Sequence, residues 1–254
     1  MPTVTSDDHT LAAELATEAG RLLLDLRATT AGPGAVDGKA LGRAGDRQAH
    51  ELLMAALADA RPDDAVLSEE GVADPVRLDA SRVWIVDPLD GTREYGEVPR
   101  TDWAVHVALV VDGAPVAGAV ALPARGLTLA TQPAPPPPPA WGGAPRVVVS
   151  RSRPPAEAER VAAALGGVLV PLGSAGAKTM AVVLGDADLY VHNGGQYEWD
   201  SAAPVAVARA AGLHASRLDG SPLVYNRPDP YLPDLLVCRH ELADAAIAAA
   251  AAGG

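Results

Sequence analysis

The hydrophobic pattern of the first third of the chain predicts two amphipathic helices. Leu11, Leu15, Leu22 and Leu26 recur at helical intervals and place one apolar face on the first helix. Residues 29–45 are rich in Gly and contain a proline, which predicts a mobile loop. Asp46 then precedes a second apolar face, so we expect it to cap the second helix.

Short apolar runs after the second helix predict an antiparallel sheet. They cover residues 65–67, 83–86, 105–111 and 116–122. The Asp112-Gly113 pair between the last two runs is typical of a two-residue hairpin turn.

The second half of the chain alternates between strands and helices. The predicted strands are 146–149, 168–172, 189–191 and 235–238. The predicted helices are 156–165, 175–184, 201–211 and 241–252.

Five consecutive prolines, Pro135 to Pro139, separate the two halves. Such a run fits neither a helix nor a central strand, which predicts an extended, exposed connector. The pattern therefore predicts an N-terminal α+β lobe at residues 1–131, a connector at 132–145 and a C-terminal α/β lobe at 146–254.

Charge and cysteine content narrow the function. The 254 residues include 20 Lys and Arg against 32 Asp and Glu, a net charge of -12, which disfavours a polymeric nucleic-acid partner. A small phosphorylated substrate would need cations between it and the carboxylates. The single cysteine, Cys238, needs no oxidising compartment, and no apolar run approaches the roughly 20 residues of a membrane span. We therefore expect a cytoplasmic protein with no membrane partner.

The stretch from Val83 to Thr92 carries the strongest chemical signal. An apolar strand runs directly into Asp87 and Asp90, and Pro88 between them stiffens the turn. Both carboxylates and the Leu89 carbonyl are then placed to face one hard cation. The N–H groups after Asp90 suit a phosphate if a helix begins there. An ordinary Asp/Gly turn explains the pattern equally well.

Two further acidic points favour a metal centre. Glu69 and Glu70 end a predicted strand, and Asp200 precedes a predicted helix. Singly, they are more typical of a solvated surface pair and a helix cap. Together with Asp87 and Asp90, they are better explained by one carboxylate-lined Mg²⁺ site than by three unrelated causes.

These motifs resemble a known family. Asp46, Ser68-Glu69-Glu70, Asp87-Pro88-Leu89-Asp90-Gly91-Thr92 and Trp199-Asp200-Ser201-Ala202-Ala203 resemble, in order and spacing, the lithium-sensitive, Mg²⁺-dependent phosphatases of the inositol monophosphatase superfamily. Gly91-Thr92-Arg93-Glu94-Tyr95 is similar to the signature of its CysQ-type branch, the 3′(2′),5′-bisphosphate nucleotidases. The resemblance implies an α+β fold of layered α-β-α-β-α architecture. Pro204 departs from the family, which usually has Gly there.

The resemblance also implies a role for each site residue. The implied ligands of two or three Mg²⁺ ions are Glu69, Asp87, the Leu89 carbonyl, Asp90 and Asp200. The implied catalytic residues are Glu69, Thr92 and Asp46, the first two orienting the attacking water. The implied substrate contacts are Gly91, Thr92, Arg93, Ser174, Lys178, Glu198 and Asp200.

The implied reaction removes the 3′-phosphate of adenosine 3′,5′-bisphosphate, or of its 5′-phosphosulfate form, in sulfur assimilation. The products are AMP or adenosine 5′-phosphosulfate. Inositol 1-phosphate and fructose 1,6-bisphosphate stay open as alternative substrates, because the superfamily shares the metal motifs. The resemblance leaves a homodimer open as the state of assembly.

Other readings are weaker. Gly173 to Thr179 is similar to a phosphate-binding P-loop, but the two glycines are too close and Ala precedes Lys178. The six histidines lack zinc-site spacing, and His106 on a predicted strand is more typical of a structural residue. A non-catalytic scaffold that binds a partner through Pro135 to Pro139 is the alternative from another class.

Overall fold

The computed structural model describes residues 4–30, 37–72, 74–140 and 142–252. Its helices are α1 Ser6–Thr30, α2 Gly38–Ala60, α3 Thr92–Gly96, α4 Ala156–Leu165, α5 Ala175–Val183, α6 Glu198–Ala210 and α7 Ala243–Ala251. Its strands are β1 Ala65–Ser68, β2 Arg82–Asp90, β3 Ala104–Val111, β4 Ala114–Leu122, β5 Leu127–Ala130, β6 Arg146–Ser150, β7 Val168–Leu172, β8 Leu189–Tyr197, β9 His214–Ser216 and β10 Tyr231–Cys238. Short 3₁₀ turns lie at Pro75–Leu78, Pro123–Arg125 and His240–Leu242.

Two five-stranded sheets organise the chain. The first has the order β1-β2-β3-β4-β5, with β1 and β2 parallel and the other pairs antiparallel. The second has the order β7-β6-β8-β10-β9 and mixes parallel with antiparallel pairs. Each sheet takes all its strands from one side of the proline-rich segment. The division into lobes stays a prediction.

Helices cover both faces of each sheet. Helices α1 and α2 pack on the outer face of the first sheet, and α4 and α7 on the outer face of the second. Helices α5 and α6 lie between the sheets, where one apolar cluster combines Val83 and Ile85 of β2 with Tyr190 of β8 and Leu235 of β10. The architecture is the layered α-β-α-β-α sandwich expected from the sequence.

The predicted loop before the second helix is wrong in its second part. Helix α2 begins at Gly38, so residues 38–45 are helical and Asp46 lies within the helix instead of capping it. The helix starts early because Gly42 and Gly45 allow close packing. A Cβ at Gly42 would lie 2.6 Å from Thr92 Cγ2, and one at Gly45 would lie 3.0 Å from Leu89 Cδ2. Residues 31–36 of the predicted loop fall outside the described residues.

An ion-pair network joins α1 to the ends of α2 and β2. The carboxylate of Asp8 is buried and accepts hydrogen bonds from Arg61 at 3.0 Å and Arg82 at 2.9 Å. Arg82 also pairs with Asp64, whose other oxygen accepts from the indole N–H of Trp84. Within the described residues, no helix is long and apolar enough to cross a membrane.

Candidate metal centre and active site

The two aspartates of β2 face the same side because the strand carries a bulge. Side chains alternate along a strand, so residues three apart normally point to opposite faces. Asp87 pairs with His106 of β3, whereas Asp90 pairs with Ala104, so three steps along β2 match two along β3. The extra residue turns both carboxylates towards one site.

Helix α6 brings in the third aspartate. It begins at Glu198, and Asp200 in its first turn accepts a hydrogen bond from the Tyr197 N–H at 2.7 Å. The potential ligand atoms of Asp87, Asp90 and Asp200 all lie within 4.8 Å of one another. The structure therefore brings the distant Asp200 next to the two aspartates of β2.

The end of β1 places Glu69 beside this cluster. Ser68 pairs with Val86 in the parallel register, so the residue after β1 lies next to Asp87. The Glu69 N–H donates to the Val86 carbonyl at 3.3 Å, and the Glu69 and Asp87 side chains are hydrogen-bonded.

Thr92 is the first residue of α3 and packs against α2. Gly91 adopts a φ of 85°, which lets the chain turn from β2 into α3. The Thr92 hydroxyl oxygen then lies 3.1 Å from the Leu89 carbonyl oxygen and 3.3 Å from Asp46 Oδ1. Asp46 approaches from α2, so the predicted catalytic residues Asp46 and Thr92 are in contact.

Burial and mutual repulsion raise the pKa of most of these carboxyl groups. Loss of water around Asp46, Glu69 and Asp200, reinforced by neighbouring carboxylates, raises each pKa to about 7. The pKa of Asp87 is raised well above its usual value for the same reasons. A cation bound among these oxygens would relieve the repulsion.

Asp90 differs from the other carboxylates in its hydrogen bonds, because its donors lie at the start of α5, between the two sheets. Its carboxylate accepts from the Ser174 hydroxyl, from the Ala175 N–H at 3.1 Å and from the Gly176 N–H at 2.6 Å. Burial opposes its ionisation, but hydrogen bonds from His106 and Ser174 outweigh that effect and lower its pKa to about 2. The N-terminus of α5 is therefore occupied by a carboxylate, which is why it does not act as an open P-loop.

The predicted substrate contacts lie in different surroundings. Arg93 is exposed at the rim and pairs with Glu97 at 3.0 Å. Lys178 is buried and donates to the carbonyls of Ser174 at 2.7 Å and Gly173 at 3.3 Å. The role of each in binding substrate stays a prediction.

Glu198 is also engaged within the protein. Its buried carboxylate accepts from the Asn226 N–H at 2.7 Å and the Arg227 N–H at 2.9 Å. These bonds hold the 226–227 loop against the start of α6. Its contact with substrate likewise stays a prediction.

His106 supports the cluster more directly than its sequence context indicates. Its imidazole is fully buried, with Nε2 3.2 Å from Asp90 Oδ2 and Nδ1 3.0 Å from the Trp199 carbonyl oxygen. It therefore touches one aspartate and the residue before another. This role of His106 can be inferred only from its pairing on β3 with Asp87 on β2, and the strand register that pairs them depends on the bulge.

Comparison with known proteins decides the family. The model of the inositol monophosphatase family matches residues 7–134 and 144–252, nearly the whole chain. The chain belongs to the inositol monophosphatase family. It shares the layered fold with solved members of that family.

Named relatives within the inositol monophosphatase family are similar over most of their length. The 3′-phosphoadenosine 5′-phosphate phosphatase of Mycobacterium leprae is 54% identical over 248 residues, covering 93% of this chain and 90% of the relative. The 3′(2′),5′-bisphosphate nucleotidase CysQ of Escherichia coli is 34% identical, covering 74% of this chain and 81% of the relative. The crystal structure of CysQ from Bacteroides thetaiotaomicron superposes with a TM-score of 0.78 at 28% identity, covering 92% of this chain and 97% of that one.

The donor set fits the metal dependence of the inositol monophosphatase family. Asp87, Asp90 and Asp200 offer only oxygen ligands, which hard divalent cations prefer. Burial and the neighbouring carboxylates raise the pKa of Asp87 and of Asp200, and a cation bound among these oxygens would offset both effects. That Glu69 and the Leu89 carbonyl oxygen complete the set of ligands stays a prediction.

Proposed function

We propose that this protein is a Mg²⁺-dependent phosphatase that removes the 3′-phosphate of adenosine 3′,5′-bisphosphate or of its 5′-phosphosulfate form. The observation that carries the proposal is the cluster of the buried Asp87 and Asp90 with the half-buried Asp200, beside the Asp46–Thr92 pair. The printed names of the mycobacterial and E. coli relatives support a bisphosphate nucleotide as the substrate.

The protein's residues would orient the reactants. Two or three Mg²⁺ ions, when bound, would lower the pKa of the attacking water and stabilise the charge on the leaving oxygen. Glu69 and the Thr92 hydroxyl would orient that water, and Asp46 would accept the Thr92 proton, since Asp46 Oδ1 lies 3.3 Å from the hydroxyl oxygen. Glu69, Asp87, Asp90, Asp200 and the Leu89 carbonyl would hold the ions. No covalent phosphoenzyme is required.

The remaining residues would bind the substrate. The N–H groups of Gly91 and Thr92 lie directly after Asp90 and would donate to phosphate oxygens. Arg93, Ser174, Lys178, Glu198 and Asp200 are the other proposed contacts. The single cysteine, Cys238, is buried and free, which agrees with a reaction in the cytoplasm. A homodimer stays a prediction.

Phosphate release from three substrates tests the proposal. With Mg²⁺, kcat/KM for adenosine 3′,5′-bisphosphate should exceed that for inositol 1-phosphate and fructose 1,6-bisphosphate by at least about tenfold, or about 1.4 kcal/mol of transition-state stabilisation. Chromatography should identify AMP with its phosphate at the 5′ position. Li⁺ at fixed Mg²⁺ should inhibit, and EDTA should abolish turnover.

The Asp90→Asn variant serves as the control against a contaminating phosphatase, because it removes a charged ligand while keeping the size of the side chain. Equal or reversed substrate ratios would assign the chain to the inositol or sugar phosphatases. Full activity in EDTA would contradict the metal mechanism.

A further inference from the structure

Strand β3 contains no acidic residue, yet its His106 lies against both segments that carry the aspartates. The Nε2 atom of the fully buried imidazole lies 3.2 Å from Asp90 Oδ2. Its Nδ1 atom lies 3.0 Å from the Trp199 carbonyl oxygen and 3.9 Å from Asp87 Oδ2. Because Trp199 directly precedes Asp200, one ring connects the end of β2 with the start of α6.

The Nδ1 edge of this ring holds the start of α6. A carbonyl oxygen can only accept a hydrogen bond, so Nδ1 carries a hydrogen and donates it to the Trp199 carbonyl. This bond ties the residue before Asp200 to β3. Asp200 itself accepts the Tyr197 N–H at 2.7 Å, so its position follows that of the first turn of α6. The distance of Asp200 from the first sheet therefore depends on the imidazole.

The Nε2 edge of the ring meets Asp90 and α5. The Asp90 oxygen that faces Nε2 also accepts from the Ser174 hydroxyl and the Gly176 N–H. Helix α5 approaches the ring closely because Gly176 has no side chain, and a Cβ at this position would overlap with Nε2. The ring is therefore enclosed by three elements, and a rotation would break its contact with Asp90 or with Trp199.

We propose that His106 is a positioning residue, which fixes the separation of Asp90 and Asp200 and thereby raises the affinity of the cluster for a divalent cation. The inference rests on the proposed metal mechanism, and His106 acts in it through the two aspartates rather than as a ligand. Groups that hydrogen-bond to metal-binding side chains orient them, and their loss typically costs about 10- to 100-fold in metal affinity. A histidine that only fills the core would instead change stability without changing metal affinity.

Urea denaturation at graded Mg²⁺ concentrations separates these two roles. The free energy of unfolding without Mg²⁺ reports the stability of the fold, and its increase with Mg²⁺ gives the dissociation constant of the cation. His106→Leu removes both contacts of the ring and should weaken Mg²⁺ binding about 10- to 100-fold.

Two polar variants examine the edges of the ring one at a time. His106→Asn keeps a donor near the Nδ1 position for the Trp199 carbonyl, and His106→Gln keeps one near the Nε2 position for Asp90. Each should bind Mg²⁺ with an affinity between those of wild type and His106→Leu. These variants also keep the test decisive if His106→Leu does not fold.

His9→Leu is the matched control. His9 is a buried histidine of α1 whose Nδ1 lies 2.6 Å from Thr131 Oγ1, outside the carboxylate cluster. Its replacement should leave the Mg²⁺ dissociation constant unchanged, whatever its effect on stability. Wild-type affinity in any of the three His106 variants, or an equal loss of affinity in His9→Leu, would overturn the assignment. A wild-type protein whose stability does not respond to Mg²⁺ would instead contradict the proposed metal mechanism.

Discussion

Removing the charge of Asp200 should stabilise the metal-free protein at alkaline pH. In the folded chain, burial and the Asp90 carboxylate raise the pKa of Asp200 to about 7 from its ordinary 3.8. A raised pKa means that folding is favoured while the group is protonated and loses that advantage as pH rises from about 4 to about 7. Asp200→Asn keeps an oxygen for the Tyr197 N–H but has no charge to repel.

The magnitude follows from the width of that interval. Between pH 5 and pH 7 the Asp200 side chain is ionised in the unfolded chain and protonated in the folded one. The free energy of unfolding of the wild-type protein therefore falls by about 1.4 kcal/mol per pH unit. Above pH 7 the cost becomes constant. Relative to wild type in EDTA, Asp200→Asn should therefore gain about 2 to 3 kcal/mol of unfolding free energy on going from pH 5 to pH 8.

Urea denaturation in EDTA at these two pH values measures the effect. Asp229→Asn is the control, because this exposed aspartate also accepts a main-chain N–H, that of Tyr231, but lies outside the carboxylate cluster. Its effect should be the same at both pH values. A gain for Asp200→Asn that does not depend on pH, or a loss at pH 8, would refute the assigned electrostatic repulsion. Added Mg²⁺ should reverse the order by stabilising wild type more.

Two more predictions concern the fold and the catalytic pair. Burial opposes ionisation of Asp8, but Arg82, the Thr5 N–H and Arg61 outweigh it and lower its pKa to about 2. This stabilisation is present above about pH 4 and lost towards pH 2, so Asp8→Asn should cost about 2 kcal/mol at pH 7 and almost nothing near pH 2, measured by urea denaturation against the exposed Asp7→Asn. Gly42→Ala should lower kcat at least about tenfold, because the new Cβ would lie 2.6 Å from Thr92 Cγ2 and displace the hydroxyl. Adding Thr92→Ser should recover activity by removing that methyl group, and a double variant as impaired as Gly42→Ala would show that the contact is not the cause.

The sequence predicted the elements whose signals are local. Helix α4 and strand β7 have the predicted bounds, and the Asp112-Gly113 hairpin joins β3 to β4. Strands β5 and β9 were missed because runs of four and three residues carry too little periodicity. Strands β8 and β10 extend further than predicted because their polar ends, such as residues 193–196, pair across the sheet.

The aspartate cluster was predictable in composition but not in geometry. Asp87 and Asp90 stand out as acids at the end of an apolar strand, yet the bulge that aligns them depends on pairing with β3. The start of α2 at Gly38 depends on tight contacts with α3, which no local pattern reveals. The same holds for Lys178 and Glu198, whose burial is set by elements distant in the sequence.

The capping of α5 by Asp90 limits how this enzyme can be recombined. The carboxylate belongs to the first sheet, while its donors Ser174, Ala175 and Gly176 lie on the other side of the proline-rich segment. Any exchange of one half for that of a relative must therefore preserve both the ligand geometry and the docking of the halves. The two halves therefore cannot be exchanged independently. A substitution on one side of this junction should require a compensating substitution on the other side.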